Sequence, residues 1–434
     1  MINNVGTRRR RWAATAAVVA LAGVSVAACS SSGGGSGSSA SEPQTITFAY
    51  SNPSGNEHYY QDAATAYEKL HPGVKITLQS LPAESYAQAI TTRVEGGNAP
   101  DVFQAESGSG QTDSIQGYAK AGQLLPLTDP QLKKDLAPAG LAQFQYNGTI
   151  YAVSLGSSVN GIVYNDQAAK ASGVTLTASS TASDVLQACA AAKAKGKALF
   201  ALAGAAPPNT GILALIIATS AVYGPDPGWD AQRTAGKVKF ATTPSWTATL
   251  NSIVQMNKAG CYQPGAQSAG FDAITNNSSR GLVFGFFAPG GAAHDIYVAS
   301  GGHVSLVVLP FPALSGTTYA SLSSDVAITG SAHTKSPKLV ASFLAYLASP
   351  AGQKVLATDS GYFPVGTTDV GALPAQYKPV ASMITGQQTR NFPTVDWPNG
   401  KIYADLGAGV QGLLTGQQTT QQVLQQMDSD WDAG

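Results

Sequence analysis

Asn52, Gln104, Glu106, Ser107, Ser157, Ser158, Asn160, Ser323, Ser324 and Asp325 share one feature of placement: each falls where an apolar, strand-like run gives way to a turn. Amides, hydroxyls and carboxylates in such positions donate and accept hydrogen bonds at short range. That chemistry fits a hydroxyl-rich ligand such as a sugar, with Phe or Tyr faces covering its apolar C–H surface. In open α/β sheets, ligands sit beyond the carboxyl ends of the strands, where these residues fall. The competing account is that each residue caps a helix or faces water, so the set carries the argument rather than any member of it.

Bond-breaking chemistry finds little support. The five histidines, His58, His71, His294, His303 and His333, are scattered with no pair on one helical face, so no metal site is expected. There is no Gly-x-x-x-x-Gly-Lys-[Ser/Thr] phosphate loop, no Gly-x-Ser-x-Gly elbow and no Ser-x-x-Lys pair, and no cofactor is expected. Glu106 and Asp325 could still meet in the fold and flank a glycosidic bond, which keeps a secreted glycoside-cleaving enzyme as the alternative of a different class.

The elements that must hold these side chains follow from hydrophobic period. Ile46, Phe48 and Tyr50 alternate as a strand; Tyr60, Ala63, Ala64, Tyr67 and Leu70 recur at helical spacing until His71-Pro72-Gly73 stops them. A second strand (Val74, Ile76, Leu78), a second helix (Tyr86, Ile90, Val94) and a third strand at Asp101-Val102-Phe103 complete a parallel α/β lobe. Past Gly148, short strands surround Gly156-Ser157-Ser158 and a second α/β unit begins, with helices over 184–195 and 211–222. Another starts at Thr243-Pro244, where Thr is expected to cap and Pro to take the first turn. Strands over 282–287 and 304–309 precede Pro310-Phe311-Pro312, a natural crossing segment. The strand Val326-Ala327-Ile328, a helix from Ser336-Pro337 and two amphipathic helices split by Gly416 finish the chain.

The N-terminus carries an export signal: Arg8 to Arg11, an apolar stretch, then Val26-Ala27-Ala28-Cys29. Ending on Cys, it reads as a lipoprotein signal (1–28), with Cys29 lipidated and the protein tethered to the outer face of the cytoplasmic membrane. A membrane-spanning anchor is the alternative, but the run is shorter than the ~20 residues a span needs. A Ser/Gly tether (29–43) follows. Removing the four signal arginines leaves 21 basic against 25 acidic residues, so nothing basic remains to attract nucleic acid. Cleavage leaves about 400 residues, enough for two or three domains. In an exported chain Cys189 and Cys261 either pair, closing a loop of about 70 residues, or remain two buried thiols.

Several segments together resemble the family 1 extracellular solute-binding proteins, the carbohydrate-binding lipoproteins of ABC importers. They are Ala66-Tyr67-Glu68-Lys69-Leu70-His71-Pro72-Gly73-Val74-Lys75-Ile76, Gly97-Asn98-Ala99-Pro100-Asp101-Val102-Phe103 and Leu124-Leu125-Pro126-Leu127. Further on come Asn147-Gly148-Thr149-Ile150-Tyr151-Ala152-Val153, Val163-Tyr164-Asn165 and Val340-Ala341-Ser342-Phe343-Leu344-Ala345-Tyr346-Leu347. The resemblance implies a two-lobed periplasmic-binding-protein-like α/β fold of type II. Its lobes are 44–153 plus 313–350 and 154–312 plus 351–434, joined by three crossings near Ser154, Pro310 and Ser349 to Phe363. It implies a monomer that captures a carbohydrate in the cleft and delivers it to permease subunits. Ligand contacts are expected from Ser51 and Asn52, from Gln104 to Ser107, from Ser157 and Ser158, and from Phe286 or Phe287 as stacking platform. Members often carry Trp where this chain has Phe286-Phe287-Ala288-Pro289, which makes Trp229 or Tyr223 the alternative platform. The same fold also serves non-sugar solutes such as polyols and polyamines.

Overall fold

A computed structural model describes residues 43–52, 58–324 and 326–434. The expected signal, Cys29, residues 29–42 of the tether and Asp325 lie outside the described residues. In chain order the strands begin with β1 (Thr45–Asn52), β2 (Lys75–Pro82), β3 (Val102–Glu106), β4 (Gln145–Tyr146), β5 (Thr149–Ile150) and β6 (Ala152–Ser154). Then come β7 (Ser158–Tyr164), β8 (Ala198–Ala201), β9 (Val283–Pro289), β10 (Val307–Leu309), β11 (Ala320–Ser323), β12 (Val326–Gly330) and β13 (Thr389–Asn391).

Two large sheets define two lobes. The first runs β2-β1-β3-β12-β6, with β1 parallel to β2 and β3, as the alternation of strands and helices dictates. The lobe is not wholly parallel, because β12 returns from the other lobe and lies antiparallel to both β3 and β6. Helices Tyr59–Leu70 and Pro337–Ala348 cover it, joined at Tyr67 Oη, which donates to Ser342 Oγ at 2.7 Å. The second sheet runs β13-β11-β7-β9-β8, with β10 paired to β7 beside β11. β7 is buried at every residue, Ser158 and Asn160 included, so it shows no alternation of buried and exposed positions.

Three places depart from expectation. Pro310 and Pro312 end β10 for want of N–H groups, but Phe311 is buried on Phe287 in the second-lobe core, so the chain does not cross there. It makes another strand first: β11 pairs with β7, and crossing occurs at Ser324. Helix Pro350–Ser360, expected in the second lobe, packs against helices Tyr59–Leu70 and Pro337–Ala348 of the first, which moves the third crossing to 361–363. At helix Pro244–Lys258 the proline takes the first turn as expected, but Thr243 Oγ1 donates to Lys239 O instead of capping.

Cys189 and Cys261, both fully buried, form a disulfide with Cα atoms 4.8 Å apart and a sequence separation of 72. On the chain-entropy account, constraining a loop of that size in the unfolded chain stabilises by about 4 kcal/mol. Nearby, Trp229, Phe240, Trp246, Trp397 and Trp431 meet edge to face in one aromatic cluster. Its outer end is closed by Arg233, which donates to Asp428 at 3.1 Å and to Asp432 at 2.6 Å.

Candidate ligand cleft

The three crossings lie side by side and are bonded together. Ser157 and Phe363 exchange two backbone hydrogen bonds of 2.7 and 2.9 Å, and Ser157 Oγ lies 2.8 Å from Ser324 Oγ. Both serines are buried, so the structure spends them on one another at the hinge, outside the wall of the cavity described next. Ser158 is likewise committed: its hydroxyl accepts from Gly290 N at 2.9 Å and pairs with Tyr377 Oη at 3.1 Å. Ser107 donates to Gln143 Oε1 at 2.7 Å, and Asn52 donates to Ser80 Oγ at 2.9 Å. None of these three lines the cavity.

Above the hinge, residues of both lobes and of the crossings surround a cavity of about 360 Å³. Of the expected ligand contacts, Ser51, Gln104, Glu106, Phe286 and Phe287 border it. β3 carries Gln104 and Glu106 on one face, two residues apart as strand pleating requires. Gln104 Oε1 accepts from Ser51 N at 3.2 Å and Tyr60 Oη at 3.0 Å, which leaves Nε2 without a partner among the described residues. Tyr86 Oη donates to Gln104 O at 2.7 Å. Asn209, by contrast, is used up on Ala203 N and Phe287 O.

The stacking expectation needs correction. Phe286 is 2% exposed and Phe287 0%, with the ring of Phe287 packed 4.7 Å from that of Phe200, so neither offers a face to a ligand. Trp229 and Tyr223 are buried in the second-lobe aromatic cluster and do not reach the cavity. Among the described lining aromatics, Phe271 alone is half-exposed; it opens helix Phe271–Ser279, after Gly270. A lone Phe after a glycine gave no period or motif to find it by. Tyr59, Tyr60, Tyr86, Tyr362 and Tyr403 also line the wall, and of these hydrophobic spacing marked only Tyr60 and Tyr86, as helix positions.

Asp113 was missed for a similar reason: it sits in a polar loop with nothing apolar to mark its direction. It borders the cavity at 5% exposure, and its carboxyl accepts no hydrogen bond from another described residue. Its backbone O accepts from Glu106 N at 3.1 Å, which sets the two acids side by side. Burial pushes the Asp113 carboxyl up to about 6. From the opposite lobe Asp295, in the first turn of helix Ala292–Ala299, lines the same cavity.

The lobes also touch at the rim. Ser109 N donates to Val395 O at 3.3 Å and Ser109 Oγ to Trp397 O at 2.6 Å. Glu84 Oε1 accepts from Phe271 N at 3.3 Å, so a first-lobe carboxylate caps a second-lobe helix whose own N-cap is Gly270. The cleft is thus bonded at both hinge and rim. A second hollow of about 500 Å³ on the second lobe, bordered by Leu176, Val307, Pro379 and Met383, contains none of these groups.

Comparison with known proteins agrees with this geometry. The model of the bacterial extracellular solute-binding protein family matches residues 52–354. A multiple sugar-binding protein of Streptococcus mutans serotype c is 28% identical over 138 residues, which spans 32% of this chain and 31% of that relative. Among solved structures, a protein of xylan utilization by Caldanaerobius polysaccharolyticus superposes with a TM-score of 0.75 at 19% identity, covering 89% of this chain and 99% of the other. The GacH receptor of Streptomyces glaucescens, known unliganded and with acarbose, gives 0.72 at 17% identity, covering 89% and 97%. At such identities the structures speak for the fold, the two-lobed periplasmic-binding-protein-like architecture, while the family model covers most strands of both sheets and the first two crossings. The chain therefore belongs to the bacterial extracellular solute-binding proteins.

Proposed function

We propose that this protein is the carbohydrate receptor of an ABC importer, enclosing a sugar or oligosaccharide between its lobes and delivering it to permease subunits without making or breaking a bond. The observation that carries the reading is the inter-lobe cavity, where the Gln104 amide and the carboxyl groups of Glu106 and Asp113 stand beside tyrosine rings and the half-exposed Phe271. Gln104 Nε2 donates to and Glu106 accepts from the sugar hydroxyls, Asp113 accepts, and Phe271 covers a C–H face. Closure follows from contact with both lobes, since a ligand touching Glu106 on one and Phe271 on the other is held fully only when the cleft is shut. Lipidation at Cys29 keeps the receptor at the membrane, where the importer takes the solute. The similarity to a multiple sugar-binding protein and to an acarbose receptor supports the ligand class.

A thermal-shift screen of mono- and oligosaccharides tests the reading. A saccharide at a hundred times its Kd should stabilise by about 2.7 kcal/mol, and Phe271→Ala should weaken that saccharide's binding by about 1 kcal/mol. A screen that leaves Tm unmoved for every sugar would remove carbohydrate as the ligand.

A further inference from the structure

We propose that Glu84 is a positioning residue for closure: from the first lobe its carboxylate takes the main-chain N–H of Phe271 on the second, and so fixes the cleft's half-exposed ring once the lobes meet. The inference goes beyond the carbohydrate reading, because the bond is made by the protein's own groups. Its effect on ligand release is the one part that rests on that reading.

Each partner is held by its own lobe. Just ahead of Phe271, Gly204 N donates to Ala266 O at 2.8 Å and Ala205 N to Ala269 O at 3.0 Å, which pins that segment to the second lobe. Ile274, about one turn further on, is buried in the apolar cluster beneath. The N–H of Phe271 opens helix Phe271–Ser279, and a first-turn N–H has no acceptor inside its own helix. Gly270 before it carries no side chain to supply one. On the facing rim, Glu84 stands in the first turn of helix Ala83–Glu95, which Tyr86, Ile90 and Val94 anchor in the first-lobe core. Its Oε1 lies 3.3 Å from Phe271 N, and the charge also meets the positive end of the second-lobe helix. A sequence separation of 187 leaves the pair with no local backbone constraint, so the bond forms when the rims meet and breaks when they part. It therefore acts on release of the ligand rather than on encounter.

The same carboxylate also favours its own helix, whichever way the lobes stand. Reach separates the two roles. Glu84→Asp keeps a negative charge in the first turn of helix Ala83–Glu95 but, shorter by a methylene, falls short of Phe271. Glu84→Gln gives up the charge and keeps an oxygen at the original reach. Hydrogen exchange of the full-length protein without ligand, read by mass spectrometry at Phe271, reports the bond directly, since no other described residue accepts from that amide. Glu84→Asp should speed exchange there by about two- to fivefold, with Glu84→Gln between it and the unaltered protein. With a saccharide that raises Tm, Glu84→Asp should raise koff by a similar factor and leave kon unchanged. Equal exchange at Phe271 in the Asp variant overturns the proposal, as does faster exchange with an unchanged koff. An effect of Glu84→Gln alone would assign Glu84 to its own helix and overturn it too. If no saccharide raises Tm, the carbohydrate reading fails, and the exchange comparison decides the proposal by itself.

Discussion

Single side chains here are placed by what burial costs them. Asp230 donates nothing; it accepts from Tyr223 Oη at 2.9 Å in a pocket that also feels Asp396 and Asp226. Burial raises its carboxyl from 3.8 to about 7. Between those values the folded chain holds a proton that the unfolded chain releases, so this residue's contribution to stability is present at low pH and lost as pH climbs from about 4 to about 7. Asp230→Asn removes that term. The variant should gain stability over the unaltered protein as pH rises through this window, with no further change above it; chemical denaturation across the range reads the difference, and parallel curves would contradict the assignment. Gln104 and Glu106 were legible in the sequence because a pleated strand fixes where every second side chain points. Ser107, Ser157, Ser158 and Ser324 were equally visible as polar turn residues, but a hydroxyl bonds to whatever lies nearest, and in this fold that is the protein itself.

Among the elements, the loop Ser107-Gly108-Ser109-Gly110-Gln111 is one part of the first lobe that touches the second. A Cβ at Gly110 would overlap Thr394 O, and one at Gly108 would overlap Val395 O, so the joint is a contact of bare backbones. Gly110→Ala should hold the lobes apart: ligand affinity falls, and small-angle scattering shows a larger radius of gyration at saturating ligand. Gly117→Ala, where a Cβ meets nothing within 4 Å, is the control. Unchanged affinity and radius in the Gly110 variant would show that the rim contact is incidental to closure. Elements read from periodicity, such as the helices Tyr59–Leu70 and Pro337–Ala348, lie where hydrophobic spacing placed them. Boundaries between lobes did not, because β11 and helix Pro350–Ser360 are assigned by the partners they pair or pack with, and pairing across a hinge leaves no local period.

At the scale of the molecule, two sheets, each with its own core, and three bonded crossings make one two-lobed body. The disulfide and the aromatic cluster brace the second lobe away from the cleft. Hydrophobic periodicity and the run of family-like segments point to this architecture, since they report on burial and chain order. The identity of the inward-facing aromatic was beyond them, because exposure of one ring depends on how two lobes meet. Titration of the full-length protein with a saccharide that raises its Tm, followed by chromatography of the recovered sugar, tests the central claim most directly. One sugar bound per chain and returned unaltered is the predicted result; substoichiometric binding with shortened products would show a glycoside-cleaving enzyme in place of a receptor.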